Sequence, residues 1–453
     1  MIRQMENLAL LADLYEFTMA ASYYQRKMFA PATFSLFIRA YPPNRGYFVS
    51  AGLEEVLSFL DSFHFGQEDL DFLKATAPFS DDFLHYLGKL RFSGDLFAIP
   101  EGLLFFQDEP ILEITAPIIE AQLVESVAMN AINLQVTIAT KASRCVYAAQ
   151  GKQLVDFSLR RTHGIDAGLK AARASYIAGF VGTSNVLAGR SYDIPLSGTM
   201  AHSFITSFDE EIDAFRAFAE TFPENAVLLI DTYDTLSGAQ KAAIVGQEML
   251  RHGKSLKGVR LDSGDMASLS KEVKAILERA GLPDVQVLAS GGFDEYKVAQ
   301  YIKEGARIDA FGVGTKMGVS ADAPYTDIAY KLVEYDDRPV LKLSTGKETL
   351  AGKKQVFRIR EGGRLIKDII ALRQERLEGE PILRMVMKEG KRYQAKEPLS
   401  VIRSRFQQEF MTLRDDYKSL IKPQSFPVEL SPGLRKLQRQ IVREVKEKEL
   451  GES

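Results

Sequence analysis

The sequence predicts a mixed α/β protein whose middle is a parallel sheet flanked by helices. Three observations predict it. Seven short apolar runs between about 150 and 315 alternate with helical stretches, and strands alternating with helices at that pace make βα units. The first 115 residues mix helical and strand periodicity instead. After about 340 the alternation dissolves into polar, Lys- and Glu-rich segments. The seven runs fit a (β/α) barrel, with an open doubly wound sheet as the alternative.

Each element has its own signal. "LLADLYEFTMAASYYQ" has helical periodicity, "ATFSLFIRAY" reads as a strand, and "FVSAGLEEVLSFLDSF" returns to helix. Two short helices are expected around 67 to 90. "LFAIPEGLLFFQDEPILEITAP" is rich in β-formers broken by Pro-Glu-Gly and Asp-Glu-Pro turns. The longest helix is expected from about 117 to 140. The seven strand candidates are "QLVDF", "AGFVG", "YDIPL", "AVLLI", "KGVRL", "VQVLA" and "IDAFGVG", with amphipathic helices such as "LSGAQKAAIVGQEMLRHG" and "DMASLSKEVKAILERAGL" between them. Further on, "LSTGKETLAGKKQVFRIREGGRLIKDII" suggests β-hairpins. "SPGLRKLQRQIVREVKEKEL" opens on a helix start signal and puts Leu434, Leu437, Ile441 and Val445 on one face. That stripe is a packing face rather than a membrane anchor, because the polar side mixes both charge signs.

Composition bounds the function. A chain of 453 residues that is 46% hydrophobic can bury large cores and suggests two or three domains. A net charge of −3 with both signs spread along the chain argues against a broad nucleic-acid surface. Glu6, Asp13 and Glu16 interrupt the segment where a secretory signal would be apolar. No run approaches the ~20 apolar residues needed to span a bilayer. The expectation is a soluble cytoplasmic protein with neither nucleic acid nor membrane as partner. A lone cysteine, Cys145, excludes an internal disulfide framework and any multi-cysteine zinc site.

The residues just after each apolar run are the informative ones, because loops at the carboxyl ends of barrel strands build active sites. They are Arg160, Arg161 and His163; Thr183 and Ser184; Thr199 and His202; Asp231 and Thr232; Arg260 and Asp262 around "VRLDSGD"; Ser290, Gly291 and Gly292; Gly314 and Thr315. Cations, hydroxyls, glycines and acids thus converge on one rim. "SGG" and "GVGT" are loops where backbone N–H groups can approach phosphate oxygens. Arg160, Arg161 and Arg260 suit a carboxylate or phosphate, although an arginine beside an aspartate, as in "VRLD", is also an ordinary rim ion pair. The carboxylates Asp231, Asp262 and Asp265 suit either Mg²⁺ on a polyphosphate or positive charge on a sugar ring. Asp265 opens "DMASLSKEV" and reads as a helix cap. "SGTMAHSF" places His202 among Gly198, Thr199 and Ser203, where an imidazole would have small hydroxyl neighbours.

Together "ADLYEFTMA", "DFSLRRTHG", "SGTMAHSF", "LLIDTYDT", "GVRLDSGD", "SGGFDE" and "DAFGVGT" resemble the nicotinate phosphoribosyltransferase family, in the family's order, from near residue 10 to about 330. The resemblance implies an irregular α/β barrel with a second α+β domain built from N- and C-terminal segments. Residues 1–115 would then be the N-terminal part of that domain, 116–340 the barrel with the active site, and 341–453 the C-terminal part with a helical tail. It implies synthesis of nicotinate mononucleotide and diphosphate from nicotinate and 5-phosphoribosyl 1-diphosphate in NAD salvage. Turnover would be coupled to ATP hydrolysis through phosphorylation of His202, with Mg²⁺ required.

The family likeness also implies roles for individual residues. His202, Asp231 and Asp262 would be catalytic, with Asp262 near the Mg²⁺-diphosphate. Tyr15, contributed by the neighbouring subunit of a homodimer, would close over nicotinate. Arg160, Thr199, Ser203 and Arg260 would contact the substrates, and Ser290, Gly291, Gly292, Gly314 and Thr315 would cradle the 5′-phosphate. A neutral imidazole is a competent nucleophile near pH 7, and Thr199 and Ser203 could stabilise the phosphoryl group it gains. His163 reads equally as a ligand contact or as loop packing, and His64, His85 and His252 fall on helix-like surface stretches.

The sequence also departs from the family. Cys145 alone cannot build the four-cysteine zinc knuckle of some relatives, so no structural zinc is expected. Some members carry Asn-Asp where Gly291-Gly292 stands. The nearest alternative is nicotinamide phosphoribosyltransferase, which has an aspartate where Ser184 stands; Ser184 with "LRR" favours the acid substrate. Quinolinate phosphoribosyltransferase does not use the phosphorylated histidine. A non-catalytic phosphosugar-binding barrel is the alternative from another class.

Overall fold

The computed structural model describes residues 8–344 and 348–451. Glu6 and residues 345–347 of the expected hairpin region lie outside them. The chain divides into two units, residues 138–324 on the one hand and residues up to 137 together with those from 325 on the other.

The unit 138–324 holds a six-stranded sheet in the order Gly182–Thr183, Gln153–Asp156, Ala310–Val313, Gln286–Ser290, Gly258–Leu261, Val227–Leu229. Every pairing is parallel, with Val155 opposite Gly182, Leu154 opposite Phe311, Leu288 opposite Ala310 and Leu228 opposite Val259. Nearly all apolar side chains of these strands are buried, Val227 and Leu288 only partly, as the unbroken apolar runs require of a sheet covered on both faces. Six of the seven runs form strands. The seventh, "YDIPL", contributes only an isolated parallel bridge from Leu196 to Thr183. Pro195 has no N–H to donate, so only its carbonyl joins the ladder, accepting from Thr183 at 3.0 Å.

Helices follow the strands at Ile165–Ile177, Val186–Tyr192, Thr235–Arg251, Met266–Arg279 and Glu295–Lys303. Four start on a side chain that accepts an otherwise orphaned backbone N–H: Asn185, Asp234, Asp265 and Asp294. Asp265, accepting from Ser268, is therefore a cap.

The other unit is built on a seven-stranded antiparallel sheet. Its order is Arg338–Pro339, Ile328–Tyr335, Pro31–Ile38, Leu112–Pro117, Asp95–Ala98, Arg384–Lys388, Lys391–Arg392. Three strands from the N-terminal part of the chain thus lie side by side in the middle, flanked on each side by two from the C-terminal part, with Ala32 opposite Tyr335 and Phe34 opposite Ile114. The Phe34 and Tyr330 rings stack at 4.8 Å on it. A four-stranded sheet carries the hairpin Lys354–Glu361 and Arg364–Leu372. The helix Pro432–Val445 is capped by Ser431 and buries Leu434 and Ile441.

The division falls at 137/138 and 324/325 rather than at 115/116 and 340/341. Leu112–Pro117 pairs with Pro31–Ile38, and the helix Ile118–Leu123 packs its apolar residues into the same core. Ile328–Tyr335 likewise pairs with Pro31–Ile38. The long helix expected at 117–140 is two helices, Ile118–Leu123 and Glu125–Ala148, separated at Val124. Among the described residues no helix is long and apolar enough to cross a membrane.

Candidate active site

Three carboxyl-terminal strand loops meet around Arg260. It lies on the strand Gly258–Leu261, its side chain mostly buried, and donates through Nη1 to Thr199 Oγ1 at 2.6 Å and to the Met200 carbonyl at 3.1 Å. Its Nη2 stands 3.9 Å from Asp262 Oδ1, while Nε is buried without a partner. Burial pulls the guanidinium below its ordinary pKa, Asp262 and Asp231 oppose that pull, and Arg160 adds to it. A guanidinium has no accessible neutral form near neutral pH. Arg260 is thus a fixed cation with a donor to spare.

Asp231 organises the loop that follows Arg260. Its Oδ2 accepts the Asp262 backbone N–H at 2.9 Å and the Ser263 hydroxyl at 2.6 Å. Its Oδ1 is buried with no partner, and such an oxygen costs free energy until something donates to it. Asp262 accepts the Ser290 hydroxyl through Oδ1. Its Oδ2 lies 4.0 Å from His202 Nε2. The other imidazole nitrogen, Nδ1, is 3.1 Å from Thr232 Oγ1. Thr232 thus holds one side of the ring and leaves Nε2 on the side of Asp262. His202 itself begins the short helix His202–Thr206, with Ser203 exposed beside it.

The glycine loops follow the next two strands. Gly291 has φ +101°, and a Cβ there would sit 2.3 Å from the Asp262 carbonyl oxygen; only glycine allows this approach. Gly292 is also left-handed, at φ +67°, with open space around it. Gly314 packs on the Phe157 backbone, and Thr315 is exposed at the first position of Thr315–Gly318.

Placement differs among the other candidates. Arg160 and Arg161 are exposed on the 3₁₀ turn Leu159–Arg161, and His163 is exposed just beyond. Ser184 is exposed, its N–H donating to the Asp156 carbonyl at 2.9 Å. His64 lies between helices, its Nδ1 2.7 Å from the Ser62 carbonyl. His85 is exposed on Asp81–Lys89, and His252 follows Thr235–Arg251. Tyr15 belongs to the other unit. It is 45% exposed in the first turn of Leu14–Gln25, and burial of part of its ring, with Glu125 and Glu16 nearby, raises its phenol.

Sequence reasoning missed several polar groups. Asp156, fully buried at the end of its strand, accepts from the Ser158 N–H at 2.8 Å and the Thr183 hydroxyl at 2.7 Å. Burial raises its carboxyl against the pull of those donors. An acid inside the apolar run "LVDF" was the available signal. Asp294, Lys297 and Lys316, which brace the glycine loops, carried no comparable signal. Among the described residues no group of three or more His, Cys, Asp or Glu could hold a metal ion.

Three family models match the chain. The nicotinate phosphoribosyltransferase (NAPRTase) N-terminal domain covers 10–133, the NAPRTase family 152–360, and the nicotinate phosphoribosyltransferase C-terminal domain 376–438. Nicotinate phosphoribosyltransferase pncB2 of Mycobacterium tuberculosis is 46% identical over 93% of this chain and 91% of its own. The nicotinate phosphoribosyltransferase of Bacillus subtilis is 37% identical over 97% and 96%. Among solved structures, human nicotinic acid phosphoribosyltransferase superposes with a TM-score of 0.83 at 26% identity, over 95% of this chain and 100% of that one.

Proposed function

The chain belongs to the nicotinate phosphoribosyltransferase family, and from that premise we propose that it joins nicotinate to 5-phosphoribosyl 1-diphosphate. The products are nicotinate mononucleotide and diphosphate, in NAD salvage. One juxtaposition carries the reading: Asp262 meets His202 on one side and the Ser290–Gly291 loop on the other, with Arg260 and Asp231 behind it. We read the six strands and the Leu196 bridge as an irregular barrel whose mouth this is.

Breaking the C1–diphosphate bond builds oxocarbenium character on the ribose, which a nearby carboxylate favours. Asp262 supplies that charge, and Asp231 holds the Asp262 backbone where it is needed. The glycine loops receive the 5′-phosphate, while Arg260 and Arg160 take anionic groups of the substrates. The unprotonated pyridine nitrogen is the nucleophile, so no strong base is required. Asp231, through its orphaned Oδ1, and the Asp262 carboxylate would hold a Mg²⁺ ion. The chemistry bound Mg²⁺ supplies is charge neutralisation on the departing diphosphate.

His202 couples the reaction to ATP. Thr232 holds Nδ1, and Nε2 takes the γ-phosphoryl group. The N–P bond forms as the bond to the β-phosphate oxygen breaks, ADP leaves, and water later cleaves the phosphohistidine. The working form is a homodimer in which Tyr15 closes the neighbour's site; exposure of Leu11, Leu14 and Tyr15 together supports this.

Turnover on nicotinate, nicotinamide and quinolinate tests the reading, with preference for nicotinate expected; preference for either other substrate overturns it. With γ-labelled ATP, acid-labile and base-stable label is expected on the wild type and not on His202→Ala. That variant retains some ATP-independent synthesis, since His202 does not break the glycosidic bond.

A further inference from the structure

The strands Gln286–Ser290 and Ala310–Val313 pair in parallel, with Ser290 opposite Gly312. This register fixes the strands only up to their ends. Beyond them the chain runs into loops with glycines at 291, 292 and 314, two of them left-handed, where the backbone has little intrinsic stiffness. Something else must hold the two loops at one spacing.

Asp294 bridges them. Its Oδ1 caps its own helix by accepting the Lys297 N–H at 2.9 Å, and its Oδ2 accepts Lys316 Nζ at 2.8 Å from the helical turn Thr315–Gly318 that follows Gly314. Burial works to raise the Asp294 carboxyl, and its Lys316 and Lys297 donors outweigh that, holding it below its ordinary value. Lys297 then reaches back, donating from Nζ to the Gly291 carbonyl at 3.0 Å across the Phe293 ring. The described chain has no cis peptide bonds, so the Gly292 N–H points away from the Gly291 carbonyl that Lys297 holds.

A second tie runs underneath. The buried ammonium of Lys141 pairs with Glu295, next to Asp294, and with Asp322 at 2.6 Å, just past Thr315–Gly318. Arg144 adds a 2.9 Å bond to Glu295. Buried ion pairs contribute little net stability beyond what apolar packing would give. The three fully buried charges of Lys141, Arg144 and Glu295 therefore call for a positional reason.

We infer that the Asp294–Lys316 pair positions the two glycine loops at the spacing a phosphorylated ribose requires, Lys141 bracing the same frame. Both are positioning residues acting through loop backbone. The inference rests on the proposed transferase reading.

Steady-state kinetics of the full chain tests it. Asp294→Asn keeps a capping oxygen and loses the charge; Lys316→Met loses the tie, and Lys316→Arg keeps it. Asp294→Asn and Lys316→Met should each raise KM for 5-phosphoribosyl 1-diphosphate about tenfold. KM for nicotinate, kcat and the thermal midpoint should stay close to wild type, as should every parameter of Lys316→Arg. The double variant should be no worse than either single one. Additive losses would mean that Lys316 contacts the phosphate itself, and would overturn the inference. An unmoved KM, or equal shifts in both KM values, would overturn it too. Wild type that makes product while the variants fail these expectations sinks the inference alone. Wild type that neither makes product nor binds 5-phosphoribosyl 1-diphosphate by calorimetry sinks both.

Discussion

Asp231 Oδ2 accepts the backbone N–H of Asp262 at 2.9 Å, joining two strand ends 31 residues apart. Ser263 shares the same oxygen at 2.6 Å. Asp231→Ala strands both donors, so a stability loss of about 1–3 kcal/mol is expected. The Asp262 loop also loses its anchor, and a fall in kcat of about a hundredfold should accompany it. Thermal denaturation and initial rates on one preparation check the pair of effects; unchanged kcat would show that Asp262 does not need Asp231.

Thr232, the partner of His202 Nδ1, offers a test of the proposed phosphorylation of that ring. Thr232→Val removes the 3.1 Å partner of Nδ1 with little change in shape. Phosphorylation by γ-labelled ATP should slow about tenfold, while synthesis without ATP stays near wild type. Rapid-quench labelling beside an ATP-free assay measures both rates.

The two left-handed glycines should respond differently to alanine. Gly292→Ala places a Cβ in open space at φ +67° and should cost about 1–2 kcal/mol of backbone strain. Gly291→Ala adds a 2.3 Å collision with the Asp262 carbonyl and should cost about 3 kcal/mol or more. Denaturant midpoints would rank them, and equal losses would refute the close approach at Gly291.

In the other unit, burial raises the Glu16 carboxyl from 4.5 to about 7, with Ser126 and Asp13 as opposing donors. Its Oε2 is buried without a partner. The folded form therefore holds a proton that the unfolded chain releases between pH 4.5 and 7. Stability falls as pH rises through that window and levels off above it. Glu16→Gln removes this slope, so its advantage over wild type should grow from pH 5 to pH 8, by at most about 3 kcal/mol. Thermal midpoints at both values decide it.

Legibility in the sequence followed physical range. Asp262, Asp231 and His202 each follow an apolar run and Arg260 lies near the end of one, so a one-dimensional pattern marked residues that later meet within hydrogen-bonding or near-contact distance. Asp265 showed itself as a cap by opening an amphipathic stretch. The third run misled, because its apolar content outweighs the missing donor at Pro195. Lys141, Glu295 and Asp322 form a contact set whose members are up to 181 residues apart, and no local spacing announces such a partnership. The pairing of residues 31–38 with 328–335 is hidden from local spacing for the same reason.

That last pairing bears on the order of assembly. The segment 138–324 is continuous, and all its sheet partners are present once residue 313 has been synthesised. The strand Pro31–Ile38 emerges early, yet one of its two edges is completed only when Ile328–Tyr335 arrives. A nascent or truncated chain ending before residue 328 thus carries an unpaired, largely apolar strand edge, the kind that recruits other chains. Ribosome-bound or proteolysed intermediates should aggregate through the N-terminal segment, while the continuous segment completes its own sheet.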